Sequence, residues 1–191
     1  LPILASTLLS DQDYTLSNVP NLVDVRSMIN LISSLGVKVD KNHENYSFLT
    51  SNITSHKATY DLVRKMRASF LVLGPLLARE GYAKISLPGG CAIGSRPVDL
   101  HLYAMKKLGA YIDFEDGYVI AKSNRKGLIG NKIDFPKVSV GATENAIMAA
   151  SLAKGESVVS NAAKEPEIID LCDSLMGMGV QIQGAGTNKI N

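Results

Sequence analysis

Cys91 lies in the run Leu87-Pro88-Gly89-Gly90-Cys91-Ala92-Ile93-Gly94-Ser95-Arg96-Pro97, and it is the residue of this chain best suited to carry chemistry. An ordinary thiol, with a pKa of about 8.5, is only about 3% thiolate at pH 7, so it can donate a proton and, in its minor form, act as a nucleophile. A neighbouring guanidinium, here Arg96, raises the thiolate fraction. Gly89, Gly90 and Gly94 tolerate positive φ and let backbone N–H groups approach an anion. Pro97 suits the first turn of a following helix, which sets Arg96 at a helix start where the dipole favours phosphate. The run fits neither GxxxxGK(S/T) nor GxGxxG, so composition alone leaves a plain connecting loop as the competing reading.

Two further basic groups are expected at helix starts. Arg67 precedes Ala68-Ser69-Phe70, and Lys137 precedes Val138-Ser139-Val140-Gly141-Ala142-Thr143. A cation there opposes the helix dipole, which argues for some other benefit, although solvated surface charge is the simpler reading of any single Lys or Arg. Asp99, in the first turn after Pro97, suits the dipole, and His101 is expected to ride a helix face. The other cysteine, Cys172, falls inside an apolar helix and reads as a small core residue. His43, His56 and His101 are scattered, and neither cysteine has partners at metal-ligand spacing, so no metal site and no Ser/His/Asp hydrolase arrangement is expected.

The elements that must position these groups repeat three times. Each unit has a small-residue apolar helix, a short strand, a loop, a second helix closed by a glycine, and another strand, with a period of about 70 residues. First helices are expected at Pro2–Ser10, Ala68–Glu80 and Ala142–Lys154, the last two stopped by Gly81 and Gly155. The strands Tyr14–Leu16, Ala83–Leu87 and Ser157–Ser160 follow. Second helices are expected at Val23–Leu35, Val98–Leu108 and Ile168–Met178, ended by Gly36, Gly109 and Gly179, with strands at Val37–Val39, Tyr111–Phe114 and Val180–Gln183. Phe70-Leu71-Val72-Leu73 and Ala146-Ile147-Met148-Ala149-Ala150 are apolar nearly all round, so the first helices should bury one another, helices inside and sheets outside. The units span about 1–57, 58–133 and 134–191, within one domain. The cysteine loop is the main insertion between copies, and loops on rigid scaffolds are where function tends to sit.

The 191 residues are 46% apolar and 20% charged, enough for a core without disulfides, and the formal charge of +2 gives no field for nucleic acid or an anionic membrane. Leu1-Pro2-Ile3-Leu4 is too short to span a bilayer and has no basic flank. With two cysteines and no leader expected, a reducing cytoplasmic setting fits. The chain begins at Leu1 without an initiator Met and reads as a piece of something longer.

Taken together, Arg67-Ala68-Ser69, Leu73-Gly74-Pro75-Leu76, the cysteine loop through Val98-Asp99-Leu100-His101, and Val138-Ser139-Val140-Gly141-Ala142-Thr143 resemble the UDP-N-acetylglucosamine 1-carboxyvinyltransferase family of bacterial enolpyruvyl transferases. Tyr60-Asp61-Leu62-Val63 and Glu165-Pro166-Glu167-Ile168 extend the likeness over essentially the whole chain. The resemblance implies an inside-out α/β barrel. It also implies transfer of the enolpyruvyl group of phosphoenolpyruvate to the 3′-hydroxyl of UDP-N-acetylglucosamine, with release of phosphate and no cofactor, as the first committed step of peptidoglycan synthesis. Cys91 is then the proton donor to the enol methylene and can form a covalent adduct. Arg67, the run Arg96, Pro97, Val98, Asp99, Leu100, and the run Lys137, Val138, Ser139, Val140 match the family's nucleotide-sugar contacts.

Departures from the family pattern matter as much. The family's Lys-Asn pair before the segment matching Leu1-Pro2-Ile3-Leu4 is missing, as is the second domain with its Asp and Arg, so the chain alone is expected to be inactive. A non-catalytic module that binds UDP-sugar through Arg96 and Lys137 is the alternative from another class. The shikimate-pathway enolpyruvyl transferase is a weaker rival, since its Asn-Ala-Gly-Thr stretch is absent and Cys91 is present.

Overall fold

Three helices run through the middle of the molecule and three small sheets wall them in, a layout seen in a computed structural model that describes residues 1–87 and 98–191. Cys91, Arg96 and Pro97 lie outside the described residues.

The first unit opens with α1 (Pro2–Ser6), whose Pro2 occupies the first helical position where no N–H is needed, and continues as a 3-10 turn over Thr7–Leu9. Strand β1 (Tyr14–Leu16), helix α2 (Val23–Ser34) and the hairpin β2 (Lys38–Asn42) and β3 (Asn45–Leu49) complete it. The second unit comprises β4 (Lys57–Ala58), the short α3 (Tyr60–Val63), a 3-10 segment Arg67–Val72 running into α4 (Leu73–Glu80), then β5 (Tyr82–Ser86), α5 (Asp99–Lys107), β6 (Tyr111–Glu115) and β7 (Tyr118–Lys122). The third comprises β8 (Lys132–Asp134), α6 (Val140–Ala150), β9 (Val158–Ser160), α7 (Pro166–Gly177) and β10 (Lys189–Ile190). Strands β4 and β8 begin at Lys57 and Lys132, slightly ahead of the expected joins between units.

The sheets follow one plan. Their orders are β1-β3-β2, β4-β5-β7-β6 and β10-β9-β8; β4 runs parallel to β5 and β8 parallel to β9, and every other pair is antiparallel. Second helices end as the glycine pattern predicts: Gly36, Gly109 and Gly179 have φ of 109°, 87° and 98°, conformations that release the chain from a helix at little cost. The β6–β7 hairpin turns on Asp116-Gly117 at φ 51° and 79°, the left-handed pair a two-residue hairpin needs.

The core gathers between helices and sheets. Leu8, Leu73, Leu76, Leu77, Ala146, Met148 and Ala149 are almost fully buried where the first helices meet, and Met28, Leu31, Ile32, Phe48, Ile85 and Met105 fill the layer beneath the sheets. Each large side chain of this kind stabilises the fold by about 1.5–3 kcal/mol. The outer strand faces are wet, with Tyr111 71% exposed.

Several expected elements differ: the first helix expected at Pro2–Ser10 is α-helical only to Ser6 and 3-10 over Thr7–Leu9, and that expected at Ala68–Glu80 is 3-10 to Val72 and α-helical from Leu73. The third first helix starts at Val140 and stops at Ala150 rather than Lys154, because Lys154 is drawn into bridging with the loop before β8: its N–H donates to Leu128 O at 2.9 Å and its carbonyl accepts from Gly130 N at 2.8 Å. Val180–Gln183 forms no regular strand. Gly184 and Gly186, at φ 83° and 74°, turn the chain back at once, so only Gln183 pairs, through two 2.9 Å bonds with Asn191, and the ordered strand is Lys189–Ile190.

Candidate functional site

Helix α6 carries the first part of the site. Ser139 caps it: the Oγ accepts from Ala142 N at 3.4 Å, and the carbonyl accepts the Thr143 hydroxyl at 2.8 Å. Thr143 Oγ1 in turn accepts from Ala163 N at 3.1 Å, which ties this helix start to the loop ahead of α7. The amides of Val140 and Gly141 have no intrahelical acceptor, so the first turn offers N–H groups and the positive end of the dipole to whatever lies beyond it.

Opposite stands Arg67, the first residue of the 3-10 segment, with Met66 before it in extended backbone. The two helix starts enclose a cavity of about 510 Å³ lined by Asp24, Arg67, His101, Val138, Ser139, Val140, Gly141 and Glu144, together with Met66, Ala68 and Leu71. Arg67 therefore meets Val138, Ser139 and Val140 in one place, although they are about 70 residues apart in sequence. Lys137 is exposed and sits two residues ahead of the cap Ser139, outside the helix it was expected to open and beyond the lining.

The remaining expected residues are distributed differently. Val98 and Asp99 begin α5, and Asp99 is exposed in its first turn; Leu100 is 6% exposed, and its side chain belongs to the core. None of the three lines the cavity. His101, expected on a helix face, is buried at 8% exposure and lies edge-on to Phe70. Burial, with help from the nearby Arg67 charge and against Asp99, pushes its pKa down to about 4. It is a neutral imidazole at pH 7.

Two groups at the site, one lining the cavity and one behind it, escaped sequence reasoning. Glu144 is 6% exposed, and burial pushes its carboxyl up to about 7, with Glu167 and Glu165 acting in the same direction against the Leu1 amino group. Asn145 lies behind the lining and is fully buried. Its Oδ1 accepts from Gly74 N at 2.7 Å, and its Nδ2 donates to Phe70 O at 2.9 Å and reaches His101 Nδ1 at 3.0 Å. Gly74 must be glycine for this, since a Cβ there would stand 2.4 Å from Asn145 Oδ1. A Glu-Asn pair inside an otherwise apolar helix was the available signal.

A larger cavity, about 590 Å³, opens between α6 and the segment Val180–Gln183, but it holds none of the expected site residues. Convergent charge and helix-start donors place the candidate site at the smaller one. Cys172 is fully buried, and burial raises its thiol to about 11, so it is inert. Among the described residues no three His, Cys, Asp or Glu side chains gather as metal ligands would, and no helix is long and apolar enough to cross a membrane.

Comparison with known proteins adds the following. The family model described as EPSP synthase (3-phosphoshikimate 1-carboxyvinyltransferase) matches residues 1–191. A protein of Paracoccus denitrificans (strain Pd 1222) named UDP-N-acetylglucosamine 1-carboxyvinyltransferase is 57% identical over 192 residues, covering 100% of this chain and 45% of the relative. One of the same name from Cereibacter sphaeroides (strain ATCC 17029 / ATH 2.4.9) is 55% identical over 192 residues, covering 100% of this chain and 46% of its own. The chain thus spans about half the length of the curated relatives it matches. The crystal structure of the enolpyruvyl transferase NikO from Streptomyces tendae superimposes with a TM-score of 0.83 at 19% identity, over 99% of this chain and 44% of that one. That likeness concerns the fold, an inside-out α/β barrel of helices within sheets.

Proposed function

The chain belongs to the EPSP synthase family, and from that premise we propose that it forms the cysteine-loop domain of an enzyme that moves the enolpyruvyl group of phosphoenolpyruvate to the 3′-hydroxyl of UDP-N-acetylglucosamine. The observation that carries the reading is the cavity where Arg67 faces the capped start of α6. A guanidinium and the free amides of a helix start suit a diphosphate. The names borne by relatives at 57% and 55% identity supply the nucleotide sugar.

Residue 97 directly precedes Val98 at the start of α5, one helical turn before the lining residue His101, so the sequence carrying Cys91 ends beside this cavity. The roles follow from the chemistry. A proton given by the Cys91 thiol to the enol methylene makes the adjacent carbon electrophilic, and the sugar hydroxyl oxygen bonds to it as its own proton passes to a base. Loss of phosphate and of one proton from the methyl group so formed then restores the double bond as an enol ether. Arg96 and Lys137 add positive charge for the phosphates. Val98, Asp99 and Leu100 stand outside the cavity lining, and their part with Pro97 in nucleotide-sugar contacts rests on the family resemblance alone. The base for the hydroxyl belongs to a second domain, and residues 1–191 alone are inactive in this account. The reaction opens peptidoglycan synthesis, and with it wall growth, cell shape and division, in the cytoplasm.

Fosfomycin, an epoxide, tests the site at the reactive thiol. With UDP-N-acetylglucosamine present, mass spectrometry of the full-length protein should find the drug's mass on the peptide containing Cys91, and a Cys91→Asp variant should stay unlabelled. An unmodified Cys91 after prolonged exposure refutes the reactive-thiol assignment.

A further inference from the structure

Asn145 has one side-chain acceptor and two donors, and each has a partner, so its orientation is fixed by the partners' chemistry. Gly74 N can only donate, which assigns the atom 2.7 Å away as Oδ1. Nδ2 then gives one hydrogen to the Phe70 carbonyl at 2.9 Å, and the other points at His101 Nδ1, 3.0 Å away. An N–H facing a ring nitrogen requires that nitrogen to be the acceptor. Nδ1 is therefore bare, and the single proton of the neutral ring sits on Nε2.

The other side of the ring faces the cavity. A Cβ on Gly141 would come within 3.2 Å of His101 Cε1 and 3.5 Å of Nε2, so the second residue of α6 is a glycine lying against the Nε2 edge. Among the described residues His101 makes no side-chain hydrogen bond except that to Asn145. The charged groups facing it are Arg67, Asp99 and Glu144.

We propose that Asn145 is a positioning residue: it locks His101 as the Nε2–H tautomer, so that a neutral ring N–H joins Arg67 and the α6 amides in donating to a phosphate oxygen of the bound nucleotide sugar. Asn145 acts through His101 and does not touch the ligand. A neutral donor adds directionality where a second cation beside Arg67 would be repelled. The ligand half of this statement rests on the proposed function; the tautomer half stands on the hydrogen bonds alone.

The test separates the two halves in the full-length protein. Nitrogen-15 spectra of the histidine rings at pH 7, assigned with a His101→Phe variant, should show His101 protonated at Nε2 only; protonation at Nδ1 overturns the positioning role. In Asn145→Asp a carboxylate oxygen replaces the donor, and the proton should move to Nδ1, a reversal that loss of packing would not produce. Titration with UDP-N-acetylglucosamine should then show affinity about tenfold weaker in His101→Phe and within about threefold of wild type in His101→Gln, whose amide keeps an N–H at similar reach. Unchanged affinity in His101→Phe overturns the ligand contact. Failure of the wild type to bind the nucleotide sugar overturns that contact and the functional reading together, while the tautomer result still decides Asn145.

Discussion

Moving His101 from water to the helix interface lowers its pKa from 6.5 to about 4, mainly by burial, so between those values the unfolded chain binds a proton that the folded chain excludes. Stability tied to this residue is complete above about pH 6.5 and is lost as pH falls toward 4. The full effect is about 3 kcal/mol. Urea midpoints should therefore fall between pH 7 and pH 4 more steeply in wild type than in His101→Gln, and parallel pH profiles would contradict the buried neutral ring. Glu144 acts with the opposite sign, because its carboxyl is raised to about 7 and its ionisation costs the folded state increasingly as pH rises from 4.5. Comparing wild type with the His101 variant at each pH cancels that contribution. Little of this was legible in the sequence. Asn145 sits immediately before the apolar run Ala146–Ala150, and its partners Gly74 and Phe70 lie more than 70 residues away, a pairing no local pattern encodes.

At the scale of elements, Arg79 shows how the central helices hold one another. From the last turn of α4 its guanidinium donates to the carbonyls of Leu8 at 3.3 Å, Ser10 at 2.5 Å and Thr50 at 2.8 Å, closing the end of the first unit's 3-10 turn. Arg79→Met keeps the stem but strands those acceptors, and a loss of about 2 kcal/mol is expected in denaturant unfolding; a change below about 0.5 kcal/mol would mean that water replaces the guanidinium freely. The second helices were legible to within two residues, since apolar spacing and the closing glycines Gly36, Gly109 and Gly179 agree. Strands β3, β4, β7, β8 and β10 were passed over, although Asp116-Gly117 before Tyr118 is a strong hairpin signal. Val180–Gln183 has strand-like residues, but a strand needs a neighbour along its length, and glycine turns remove it.

For the whole molecule, the threefold repeat was readable because each unit must bury an apolar helix that it cannot cover alone. Three such helices solve the problem together, which leaves the starts of the second and third, rather than their sides, to line a cavity. Arg67 and the Val138–Val140 run share a cavity for that reason, and the helix starts are where repetition converges in space. The chain covers 45% of the length of its Paracoccus relative. The family carries two acceptor chemistries in the names of its members, a phosphorylated shikimate and a nucleotide sugar. The deciding measurement is phosphate release from phosphoenolpyruvate by the full-length protein with each acceptor in turn. Release with UDP-N-acetylglucosamine, and none above background with 3-phosphoshikimate, is the predicted result; release with 3-phosphoshikimate alone, or with neither, would contradict the account.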